Sequence, residues 1–157
     1  MADVYELLVA LDLRGDLSER EVAELRWHLG LGPAPQTLHI VSSFPVVVED
    51  DDGEPVVEDH PEPLLGRHDA AWRVGGALVS ALVRSEPSGT GSWALTARQE
   101  VHPDEFELTG ELLGWLAARA DARHSPTAGT VRLGWTRFHE SDRYESLTVR
   151  DGRVEWP

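Results

Sequence analysis

The chain has 157 residues, 41% of them hydrophobic and 27% charged, which suits one globular domain large enough to bury a core. Its 28 acids against 14 bases give a formal charge of −14, a field that argues against binding a phosphate backbone and so against a nucleic-acid partner. There is no cysteine, which excludes disulfides, a thiol nucleophile, Fe–S clusters and cysteine-ligated zinc.

No apolar run approaches the roughly 20 residues that a membrane-spanning helix needs, and no membrane contact is expected. The opening segment MADVYELLVAL carries Asp3 and Glu6, with no basic stretch and no small-residue cleavage site. It does not read as a secretory leader, and the cytoplasm is the expected compartment. All 14 bases are arginine. With the abundance of Ala, Gly and Pro, this reads as the codon bias of a GC-rich genome.

Tyr5 to Arg14 alternates Tyr5, Leu7, Val9, Leu11 and Leu13 with Glu6, Leu8, Ala10, Asp12 and Arg14, the period of a strand. A helix follows. Ser18 and Glu21 form a capping box, Leu17 and Val22 a hydrophobic staple, and Val22, Leu25 and Leu29 one apolar face. Gly30 is the expected stop, with Pro33 just beyond.

Leu38 to Val48 contains two β-like stretches, Leu38–Val41 and Phe44–Val48. Asp51-Asp52-Gly53 is a turn, and Glu54 to Val57 returns as a short strand. Pro45 and Pro55 place that hairpin at a sheet edge or outside the sheet. Its acidic run 49–54 lacks the alternating ligands of a calcium loop and reads as a solvated turn. Residues 60–73 are rich in Pro, Gly and charge and read as loop.

Ala77–Arg84 and Trp93–His102 form a predicted hairpin around a polar turn over 86–91. A second helix is predicted from Thr109, its expected N-cap, to about Asp121. Thr130–Phe138 is a strand. The last two strands flank Asp151-Gly152, a strong two-residue hairpin signal.

Each half of the chain therefore runs strand, helix, strand. The expected fold is α+β, with two β-α-β(β)β halves in an antiparallel sheet and both helices on one face. The ferredoxin-like split β-α-β is its simplest form. Two β-α-β-β-β halves, together with the segment His28-Leu29-Gly30-Leu31, also resemble the glyoxalase/bleomycin-resistance superfamily. That resemblance implies strand-borne His, Gln or Glu ligands, for which the first strand offers only Glu6 and Asp12.

No nucleophile or phosphate-binding motif is present, and no cofactor is implied. His102 and His139 end two strands on either side of the second helix, with Glu140 close by. They are the candidate metal or acid/base groups at the sheet rim. Strand parity places the two imidazoles on opposite sides unless a bulge intervenes.

The same parity puts Leu8, Ala10, Asp12, Thr96, Arg98, Glu100, Arg132, Gly134, Thr136 and Phe138 on the face away from the helices. Asp12, Thr96, Arg98, Glu100, Arg132 and Thr136 are its candidate ligand-binding residues. Arg98 and Arg132 are placed to meet Asp12 and Glu100 or to grip a carboxylate. The expected role is non-enzymatic interaction through this open face, with a homodimer as the partner state. A small-molecule binder, taking a cationic ligand on the strength of the net charge, and a small enzyme at the rim are the alternatives.

Overall fold

The computed structural model describes residues 3–85 and 91–157. Most of the predicted 86–91 turn lies outside the described residues. Strand β1 (Tyr5–Leu13) is followed by helix α1 (Glu19–His28) and a hairpin of β2 (Pro45–Glu49) and β3 (Pro55–Asp59). Then come β4 (Val79–Arg84), β5 (Trp93–Val101), helix α2 (Phe106–Arg119), β6 (Thr130–Phe138), β7 (Glu145–Arg150) and β8 (Arg153–Val154). Six strands form one sheet in the order β4-β5-β1-β6-β7-β8, every neighbour antiparallel, and β2-β3 stands apart as a two-stranded sheet.

Leu7, Val9, Leu11 and Leu13 of β1 are buried, as the alternation requires. They share one hydrophobic cluster with Leu25 and Leu29 of α1 and with Leu112, Leu113 and Leu116 of α2. Both helices therefore cover the same face. Removing each such Leu from water is worth about 1.5–3 kcal/mol. Arg119 of α2 reaches Glu21 of α1 at 3.0 Å and ties the helices together.

The start and stop of α1 follow from its sequence. The Ser18 hydroxyl accepts from the Glu21 amide at 3.1 Å, and the Glu21 carboxylate accepts from the Ser18 amide at 2.9 Å. Gly30, at φ +69°, donates to the Trp27 carbonyl while Leu31 donates to Arg26, the paired bonds of a left-handed helix stop.

Three expectations fail for identifiable reasons. Leu38–Val41 forms no strand. Glu24 of α1, 2% exposed, accepts the amides of His39, Ile40 and Val41 on one carboxylate. Successive amides of a strand point in opposite directions, so three consecutive ones cannot converge on a single carboxylate without leaving the extended form.

Thr109 does not cap α2; it is buried inside the helix. The chain turns earlier, in a 3-10 turn over Pro103–Glu105. His102 Nδ1 accepts the Asp104 amide at 3.1 Å, and Glu105 accepts the His102 amide at 2.8 Å. A histidine here fills the role usually taken by Ser, Thr or Asp, and Pro103 takes the first position.

The third difference lies in β6. Its register against β7 shifts between Arg132 and Gly134, so Leu133 and Gly134 both face the core. Every residue beyond the bulge changes face relative to strict alternation. Trp135 turns outward, 41% exposed, while Gly134, Thr136 and Phe138 join the helix-covered side; Thr136 is 3% exposed. A Cβ on Gly134 would collide with the Leu8 carbonyl oxygen of β1. Gly134→Ala is expected to cost about 2–4 kcal/mol, read as a lower urea midpoint. Gly32→Ala, where a Cβ meets only the Arg26 side chain at 3.6 Å, is expected to cost less.

Candidate functional site

The face away from the helices is built in rows across the strands. Val79, Arg98, Leu8, Trp135 and Ser146 form one row, Ala81, Thr96 and Ala10 the next, and Val83, Ala94 and Asp12 a third. Thr96 thus sits between two alanines, on a floor of small side chains.

Glu6 closes one end of this face. It is 3% exposed, yet Arg98 Nε lies 2.7 Å from one carboxylate oxygen and Arg137 Nε 3.1 Å from the other. Burial pushes the Glu6 carboxyl up, but its hydrogen bonds with Tyr144, Arg137 and Arg98 outweigh that and hold it below the ordinary value. Arg98 therefore meets Glu6, and not Asp12 or Glu100 as the sequence reading expects. A second Arg98 nitrogen donates to the Ala77 carbonyl at 3.0 Å.

Glu100 is equally committed. It accepts the amides of Trp72 at 2.6 Å, Arg73 at 2.5 Å and Val74 at 3.1 Å, and it pairs with Arg67 at 2.9 Å. Burial raises it, and these three amides and Arg67 bring it down below the ordinary range. Glu100 anchors the loop before β4.

At the far end of β1 the face opens into a groove of about 330 Å³ lined by Ala10, Arg123, His124, Arg132, Gly134 and Trp135. The end of α2 is pinned there, because Asp121 donates its amide to the Asp12 carbonyl at 2.8 Å and caps the 3-10 turn Ala122–His124. That turn brings His124 over β1. Its Nε2 lies 3.0 Å from the Asp12 amide and 3.3 Å from the Asp12 carboxylate. Arg123 lies 3.5 Å from the Asp12 carboxylate and 3.4 Å from Asp121. Arg132 has no ion-pair partner among the described residues.

Of the six candidate ligand-binding residues, Arg132 lines this groove, Asp12 borders it through Arg123 and His124, and Thr96 lies on the same face. Arg98 and Glu100 belong to structural networks. Thr136 is on the other side of the sheet. The rim histidines are not brought into one cluster. His102 caps the turn before α2, while His139 Nδ1 lies 3.1 Å from the Val4 carbonyl oxygen and 3.4 Å from the Val4 amide, and its Nε2 is 3.6 Å from Glu140. Among the described residues no three His, Asp or Glu side chains stand together as a metal site.

Arg123, His124 and Trp135 were not legible as site residues. The first two sit in a loop whose capping Asp121 is the only local clue, and the third depends on the bulge. Comparison with protein-family models, with curated proteins and with solved structures finds no match.

One histidine is fully enclosed. His28 has neither ring nitrogen hydrogen-bonded among the described residues, and burial pushes it down to about 4 against the pull of Glu24, 3.5 Å away. The folded state then resists a proton that the unfolded chain accepts below 6.5, so stability falls as pH drops from 6.5 towards about 4. The depressed Glu6 acts in a lower window. Its contribution is fully present above the unfolded value of 4.5 and is lost as pH falls below it through the folded value. Glu6→Gln is expected to cost about 2–3 kcal/mol near neutrality. In urea titrations the wild-type and variant curves should run parallel between pH 6.5 and 4.5 and converge only below.

Proposed function

We propose that the chain is a non-enzymatic interaction protein of ferredoxin-like architecture that pairs with a second copy of itself along β4. The arrangement supports the fold assignment. β5 and β6 are parallel to each other with β1 between them, β1 and β4 are parallel with β5 between them, and a helix connects each such pair. These are two interleaved split β-α-β units, with β7-β8 added at the β6 edge.

The observation that carries the reading is the edge of β4 beyond Leu78, whose own amide is taken by the Asp69 carbonyl at 2.7 Å; from Val79 onward no strand pairs with it among the described residues. Folded proteins blunt edge strands with proline, charge or very short length. The other edges here are blunted. β2 and β3 begin at Pro45 and Pro55 and carry Glu49, Glu58 and Asp59, and β8 has two residues. β4 reads Val79-Ser80-Ala81-Leu82-Val83 before its first charge at Arg84. Val79 and Val83 are 49% and 59% exposed on the open face.

The bonding pattern gives the pairing. Ser85 donates its amide to the Ser92 carbonyl, so odd-numbered residues face β5 and the Leu82 peptide groups point outward. Antiparallel pairing between copies must set odd residues opposite odd ones. Val79, Ala81 and Val83 of both chains then form one apolar strip, in a two-fold, self-complementary interface.

Light scattering at high micromolar concentration should report twice the chain mass. The pairing is apolar between chains of charge −14, so added salt should tighten it. Val83→Lys should weaken it at least tenfold, about 1.4 kcal/mol, with an unchanged circular dichroism spectrum. A wild-type monomer under these conditions overturns the proposal, as does a Val83→Lys dimer of unchanged affinity.

A further inference from the structure

The groove at the β1–β6 end of the open face has a composition that the net charge does not predict. The protein carries two acids for every base, yet this hollow is walled by Arg123, Arg132 and His124. Asp12 and Asp121 together offset Arg123, which leaves the Arg132 guanidinium without a carboxylate among the described residues. His124 stands beside them, its Nε2 held 3.0 Å from the Asp12 amide and 3.3 Å from the Asp12 carboxylate.

The apolar component is as definite. Trp135 is turned into the open by the bulge in β6, and it lines the same groove with Ala10 and the backbone of Gly134 on the floor. The residue is 41% exposed, where strict alternation would have turned it to the core. The volume, about 330 Å³, suits a molecule of one ring and a short polar group.

We propose that this groove binds a small aromatic carboxylate. The ring lies against Trp135 over the alanine and glycine floor, and the carboxylate meets Arg132, whose planar fork matches its two oxygens. Arg123 and His124 close the polar end. The site is separate from β4, since β5 and β1 lie between, so it does not depend on the pairing of two copies.

The test uses benzoate and benzylamine, which share a ring and differ in the sign of the attached charge. Each is titrated into the 157-residue chain, followed by amide and indole resonances in proton–nitrogen spectra. Benzoate should give saturable shifts at the Trp135 indole and the Ala10 and Gly134 amides, with a dissociation constant of about 1 mM or tighter. Benzylamine should give none there. Arg132→Gln, an exposed position, should weaken benzoate at least tenfold and leave the remaining spectrum in place. Val83→Lys should leave benzoate binding unchanged, which separates this site from the β4 pairing. The proposal is overturned by unsaturated shifts with benzoate, by equal binding of benzylamine, or by an Arg132→Gln protein that binds as well as wild type.

Discussion

The close approach of β1 and β6 at Gly134 is the constraint on which the open face depends. The Leu8 carbonyl occupies the space that any side chain at 134 would need. Glycine there lets β6 take an extra residue without losing its neighbour, and that one residue reverses the facing of everything after it. Trp135 and Arg137 go outward, Thr136 and Phe138 inward. Arg137 can then pair with Glu6, and Trp135 can wall a groove. A regular strand would have buried the tryptophan and left the threonine in solvent, and neither the Glu6 pair nor the groove would exist in this form.

The acidity of the chain has an internal use as well as an external one. Glu6, Glu24 and Glu100 are carboxylates taken almost wholly out of water, a move that costs several kcal/mol per ion unless donors replace the lost hydration. Each has them. Glu6 has two guanidinium groups, Glu24 three consecutive amides, and Glu100 three amides and an arginine. Glu24 and Glu100 hold segments with no regular structure of their own, 38–44 and 67–76, against the helix and the sheet. The connection between α1 and β4 is thus organised by side-chain-to-backbone bonds where a hydrophobic face is lacking.

Local signals were legible where they are self-contained. The Ser18–Glu21 box, Gly30, the prolines of β2 and β3, and Asp151-Gly152, with φ of +50° and +81°, each specify a short piece of backbone without help from elsewhere. So was the alternation of β1, whose two faces remain distinct over its full length. What could not be read depends on partners distant in sequence. The amides of 39–41 look like a strand until Glu24 is placed beside them. His102 looks like the end of a strand until Glu105 is seen to return to it. The bulge depends on Leu8, over a hundred residues away, and it moved Thr136 out of the candidate site while moving Trp135 in. Of that site, Asp12 and Arg132 were legible because β1 and the first part of β6 precede the bulge in register.

The two ends of the open face consequently differ in kind. At β4 the exposed groups are aliphatic, with peptide groups pointing outward from an edge, and such a surface has affinity for another strand but little discrimination among small solutes. Beyond β1 the edge is covered by β6, β7 and β8, so backbone pairing is closed off and only side chains face outward. There the charges converge on a concave surface. Glu6, Arg98 and Arg137 stand near one end of β1 as a satisfied ionic cluster, with no unpaired charge of their own to offer a ligand. The net charge of −14 is a property of the whole surface, but recognition is decided at the scale of a few ångströms. At that scale the sheet offers an apolar edge on one side and a guanidinium beside an indole on the other.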